Sequence, residues 1–99
     1  MAENQNLAEE KENHEGYIIP LSTMKPKQKG ILRAIKAPQV LAHRLMSLSI
    51  LPGTEIEVVR TAAFGDPMEI SAKGFRLALR KKDAQFLLVE IQKEASNEK

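Results

Sequence analysis

Ninety-nine residues suffice for one domain with a modest core, and leave little room for a deep catalytic cleft beside it. The composition is that of an ordinary globular chain, 42% apolar and 28% charged, but the absence of cysteine excludes disulfides, zinc clusters, iron–sulfur centres and thiol nucleophiles, and fits a reducing compartment. The net charge of +2 is unevenly spread: residues 1–16 hold five Glu and one Lys, a balance of −4, against +6 for the remainder.

In chain order, residues 1–15 carry only Leu7 as a large aliphatic side chain beyond Met1. Such a segment cannot bury enough surface to offset the entropy of ordering, so residues 1–16 are expected to be a disordered acidic tail. They are not basic and then apolar, as a signal peptide is. The ordered domain is expected over 17–93, with 94–99 a second short tail. "YIIPLSTMKPKQKG" opens as an extended apolar stretch, and Pro20 and Pro26 restrict the chain before a turn at Pro26-Lys27-Gln28. "GILRAI" is a strand with imperfect alternation.

The period then changes. Leu41, Leu45 and Leu48 fall at i, i+4 and i+7, the spacing of one helical face. Pro38 suits the start of that helix, and Pro52-Gly53 its end. Period two returns in "TEIEVVRTAA", with Ile56 and Val58 inward. It continues in "PMEISAKG" through Met68, Ile70 and Ala72, and in "FRLALR" through Phe75, Leu77 and Leu79. "KKDAQFL" reads as a late helical turn with Ala84, Leu87 and Leu88 on one face, and "LVEIQK" closes as a strand. Five short strands, an inserted helix and a late turn make a small antiparallel barrel. Phe86-Leu87-Leu88-Val89 is the longest aliphatic or aromatic run, far below the roughly 20 residues that span a bilayer. No direct membrane insertion is expected.

The residues that carry chemistry are few. Gly65-Asp66-Pro67 is turn chemistry, and Asp66 lacks a catalytic partner at a spacing that would share its face. His14 and His43 are the only histidines, and nothing in their spacing joins them, so no metal site or cofactor is expected. Neither a phosphate loop nor a hydrolase triad is present. The basic residues Arg44, Arg60, Arg76 and Arg80 form a candidate surface for an acidic partner or for phosphates, set against a plain solvated face. Met46 and Ile50 lie off the helical leucine line. They are candidates for an exposed apolar contact, set against a wide buried face.

"PLSTMKPKQKGILRAI", "LAHRLMSLSILPGTEIEVVR" and "AAFGDPMEISAKGFRLALRKKDAQFLLVEI" together resemble the FeoA family, the ferrous iron transport protein A of bacteria. "LPGTEIEVVR", "GDPMEI" and "GFRLALRKKDA" are the most specific pieces. The resemblance implies a mainly β fold, a small SH3-like antiparallel β-barrel with an inserted α-helix. It also implies a non-enzymatic, cytoplasmic accessory of FeoB, the membrane ferrous iron permease with a cytosolic GTPase domain. The same barrel ends metal-dependent repressors, so a regulatory or nucleic-acid-binding adaptor is the alternative, although a lack of stacking aromatics among the charges speaks against nucleic acid. Barrel edges leave room for a homodimer. The family pattern often has Gly where this chain has Lys27 and usually has Gly where it has Ser49.

Overall fold

The structure, a computed structural model, describes residues 16–92. The expected tails therefore lie outside the described residues, apart from Gly16. Six strands make one antiparallel sheet: β1 (Tyr17–Pro20), β2 (Lys29–Ile35), β3 (Glu55–Thr61), β4 (Met68–Ala72), β5 (Phe75–Leu79) and β6 (Leu87–Ile91). The ladder runs β1-β6-β2-β3-β4-β5, with every neighbouring pair antiparallel. Helix α1 (Gln39–Ser47) is inserted between β2 and β3, and a four-residue helix α2 (Lys81–Ala84) precedes β6.

The inward positions of the strands meet in one core. Leu32, Ile56, Val58, Met68, Ile70, Leu87 and Val89 are all fully buried in a single apolar cluster, to which α1 adds Leu41 and Leu45. Strands at distant places in the ladder can share one core only if the sheet curls around it. The period-two readings of β3, β4 and β5 are thus found as expected, with Arg76 and Ala78 on the exposed face of β5.

Three expectations change. Tyr17–Pro20 is a sixth strand, because its backbone pairs with β6 in the register Tyr17↔Ile91 to Pro20↔Leu88. Leu87 and Leu88 do not belong to the late helix. They begin β6, where Leu87 pairs with Ile35 and Leu88 with Ala34, so long-range pairing overrides the local helical spacing. The imperfect alternation of β2 is a bulge between Leu32 and Ala34. Arg33 at the bulge reaches across the sheet, and its Nε donates to Glu90 Oε1 at 2.6 Å.

The loops are fixed by backbone bonds. The Leu48–Ile50 stretch closes α1 with Ser49 N–H donating to Met46 O at 2.9 Å and Ile50 N–H to Leu45 O at 2.9 Å. That is the Schellman arrangement, and Ser49 holds its left-handed position at φ 64°. Lys27 sits at φ 76° after Pro26, and Gln28 N–H donates to Lys25 O at 3.0 Å, a type II turn. Lys73 and Gly74, at φ 54° and 86°, make the two-residue turn that joins β4 to β5 with Ala72 opposite Phe75.

Candidate functional site

The strand register carries Arg60, Glu69 and Ala78 across the outer face of β3, β4 and β5 in one row. Glu69 stands between two cations. Arg60 Nε donates to Glu69 Oε1 at 2.7 Å, and Arg76 Nη1 lies 3.5 Å from Oε2. The Arg60 hydrogen bond holds the Glu69 carboxyl below its ordinary range; partial burial opposes this, and the charges of Arg60 and Arg76 reinforce it. Two guanidinium groups on one carboxylate leave the row net positive. Their side chains remain 73% and 62% exposed, so most of their donors face solvent.

A cleft of about 390 Å³ lies beside this row, lined by Arg60, Glu69 and Arg76 together with Pro67, Leu77 and Ala78. A second hollow of about 440 Å³ is rimmed by Lys29, Lys73, Glu55 and Glu57, whose charges cancel. The first differs in combining two arginines with apolar lining residues.

The β3–β4 connection stands at one end of the cleft. Ala62 N–H donates to Pro67 O at 2.9 Å and Gly65 N–H to Ala62 O at 2.8 Å, closing a tight loop. Gly65-Asp66-Pro67 lies in the turn between two strands, as expected, but the Asp66 side chain bonds outside that turn. Its Oδ1 accepts from the backbone N–H of Lys81 at 3.0 Å, fifteen residues on, and so ties the loop to the start of α2. Phe64, at the tip, holds φ 63° and is fully exposed.

Among the residues singled out from the sequence, Arg60 and Arg76 are brought together on Glu69. Arg80 continues the exposed face of β5 with an extended backbone, φ −69° and ψ 147°. Arg44 and Met46 are exposed on α1, a separate element. Ile50 is corrected: it is 0% exposed, because the Schellman closure turns it back against the core beside Leu45. His43 is exposed on α1, and His14 lies outside the described residues. Among the described residues, no three His, Cys, Asp or Glu side chains gather as a metal site needs.

Sequence reasoning missed Glu69 as the partner of both arginines, and missed Phe64. Glu69 was within reach: pairing the strands outward from the Gly65-Asp66-Pro67 turn sets it opposite Arg60.

Residues 19–91 match the profile of the FeoA domain. The chain belongs to the FeoA family. An iron uptake regulatory protein described as FeoA is 32% identical, with a TM-score of 0.65 over 75% of this chain and 96% of that one. A FeoA-like protein from Clostridium acetobutylicum is 31% identical, with a TM-score of 0.71 over 84% and 94%. FeoA of Stenotrophomonas maltophilia, described as a prokaryotic SH3 domain protein and solved with zinc, shares the fold at 23% identity and a TM-score of 0.63 over 70% and 86%. The mainly β, SH3-like architecture expected from the sequence is the one found. A manganese-dependent transcriptional repressor matches at 16% identity, with a TM-score of 0.69 over 77% of this FeoA chain and 42% of its own, a likeness of fold alone. No helix among the described residues is long and apolar enough to cross a membrane.

Proposed function

We propose that this FeoA-family chain is a non-enzymatic, cytoplasmic accessory protein of bacterial ferrous iron uptake, which docks on the cytosolic part of the FeoB permease and biases its state. The observation that carries the reading is the family match over nearly all the described residues, 19–91, together with a relative named as an iron uptake regulatory protein. The arginine-lined cleft supports a docking role, since Arg and aromatic side chains are the residues most enriched where proteins bind one another.

An accessory protein of this kind acts by binding one conformation of its partner more tightly than another. A tenfold preference shifts the partner's equilibrium by about 1.4 kcal/mol, enough to switch the majority state of a nearly balanced pair. Arg44, Met46, Arg60, Arg76 and Arg80 are the exposed side chains proposed for the contact. The likeness to a repressor supplies a fold and no feature that favours a nucleic-acid role.

The test is a pull-down with the tagged chain from membranes containing FeoB, with no nucleotide, GDP or a non-hydrolysable GTP analogue. Enrichment that differs between nucleotide states is expected. Absence of FeoB in every state overturns the reading.

A further inference from the structure

We propose that the free edge of β5 is the docking site for an extended segment of another protein that alternates acidic and apolar side chains. This rests on the docking reading above and names the place and chemistry of the contact.

β5 is the last strand of the ladder. Ala72 and Phe75 close the two-residue hairpin turn, so they are a hydrogen-bonded pair, as are Ile70 with Leu77 and Met68 with Leu79. The backbone groups of Arg76 and Ala78 therefore point away from β4. No further backbone hydrogen bond engages either residue among the described residues. Those N–H and C=O groups form an open template for one more strand. The other end of the ladder is less suited: β1 has four residues and ends in Pro20.

The side chains specify what an added strand must carry. Arg76 and Arg80 are exposed, four residues apart, on the same face of the extended chain. An incoming strand would set side chains at i and i+4 opposite them, and carboxylates there complete the charge. Ala78 between them leaves room for any residue. The opposite face of β5 is incompletely covered: Phe75 and Leu77 are only half-buried, whereas Ile70 beside them is fully buried. Apolar side chains at i+1 and i+3 would stand opposite Leu77 and Leu79, and one more, just past the carboxylate opposite Arg76, would stand opposite Phe75. The segment read by β5 is acidic–apolar–any–apolar–acidic, and Arg76, Leu77 and Ala78, which line the cleft, place it along the same strand.

Two nearer occupants fit poorly. A second copy pairing β5 against β5 antiparallel would bring arginines together, a like-charge arrangement that destabilises cross-strand pairs. The chain's own residues 1–15 are acidic but hold Leu7 as their one large aliphatic side chain beyond Met1, so they cannot supply the alternating apolar face.

The test uses the full chain and a fluorescein-labelled (Glu-Val)4 peptide, with (Lys-Val)4 as control. Saturable binding of (Glu-Val)4 alone is expected, with slowed amide hydrogen exchange at Arg76 and Ala78. The charge-reversed R76E/R80E variant should bind at least about tenfold more weakly. Ala78→Pro removes an N–H that the β4–β5 ladder does not use; it should abolish binding while leaving thermal unfolding cooperative. The proposal is overturned by any of four results: no saturation at millimolar peptide, equal binding of (Lys-Val)4, retained binding in cooperatively folded Ala78→Pro, or protection confined to β1. Exchange protection at Arg76 and Ala78 that depends on protein concentration, with no peptide present, would assign the edge to a second copy and overturn it equally. FeoB capture that survives Ala78→Pro overturns this site but not the docking reading. Peptide binding without FeoB capture does the reverse.

Discussion

Of the four non-glycine residues in the left-handed region, Lys27, Ser49, Phe64 and Lys73, two stand where the turn type calls for glycine with no side-chain role in view, and replacing them should stabilise the protein. Ser49 occupies the left-handed position of the α1 Schellman closure at φ 64°, and Lys27 the corresponding position of a type II turn at φ 76°. Both are exposed, and the bonds that define each turn are made by backbone atoms: Ser49 N–H to Met46 O and Ile50 N–H to Leu45 O in one, Gln28 N–H to Lys25 O in the other, while Lys27 N–H donates to Val58 O at 2.7 Å. Glycine keeps all of these. A Cβ in this region costs about 1–2 kcal/mol. The freer unfolded chain that glycine brings offsets roughly 0.5–1 kcal/mol of the gain. Ser49→Gly and Lys27→Gly should each stabilise by about 0.5–1 kcal/mol, or roughly 3–6 °C in Tm for a domain of this size. The two turns share no partner, so the double variant should show close to the sum. Thermal unfolding followed by far-UV circular dichroism reads this directly. Ser49→Ala, which retains the Cβ, is the control and should lie within about 0.5 kcal/mol of the parent. If Ser49→Gly and Ser49→Ala shift Tm alike, or if either glycine lowers it, the strain argument is wrong.

Gly30 makes the opposite case. A Cβ there would meet Val89 Cγ1 at 2.5 Å and the Glu90 carbonyl oxygen at 2.6 Å, so Gly30→Ala forces β2 off β6 and should cost at least about 2 kcal/mol in denaturant titration. Asp66→Ala removes the acceptor for Lys81 N–H and should destabilise by about 1 kcal/mol, with faster hydrogen exchange at Lys81, while Asp66→Asn retains most of both. Glu69 has a carboxyl lowered from an ordinary 4.5, so its ion pairs stabilise the fold fully above that value and lose effect as pH falls through the lowered one. The Tm difference between the parent and Glu69→Gln should be constant near neutral pH and vanish in acid; a difference that grows on acidification contradicts the pairing.

The sequence made most of the fold legible because period two persists through Ile56-Val58, Met68-Ile70-Ala72 and Phe75-Leu77-Leu79, and alternation over a half-buried strand is a direct imprint of burial. The failures share a cause. Tyr17–Pro20 is too short to declare itself, and becomes a strand only because β6 lies alongside. Leu87 and Leu88 lie just after the four-residue helix α2 and carry helical spacing, yet Ile35 and Ala34 pair with them. Ile50 sits off the helical stripe because it is no longer helical, and the turn that buries it depends on Ser49 in a conformation its residue type does not announce. At the site, four arginines were visible as a list. Their grouping follows only when β3 and β5 are both paired with β4, which sets Glu69 opposite Arg60 and diagonal to Arg76.

That grouping bears on how so small a domain can act at all. The core occupies the inside of the curled sheet, so the outer face, the loop tips and the ladder ends remain for recognition. Of these, the β3–β4–β5 side concentrates features that raise the free energy of the isolated domain: an edge strand whose outward backbone groups have no partner among the described residues, half-buried Phe75 and Leu77, and a fully exposed Phe64 at φ 63°. A non-glycine residue in the left-handed region costs on the order of 1 kcal/mol, and an open edge invites aggregation. Arg60, Arg76 and Arg80 answer the second problem, since their charge deters self-pairing while favouring a strand of opposite sign. In the docking proposed above, the same residues disfavour pairing with a second copy and favour a strand of opposite charge.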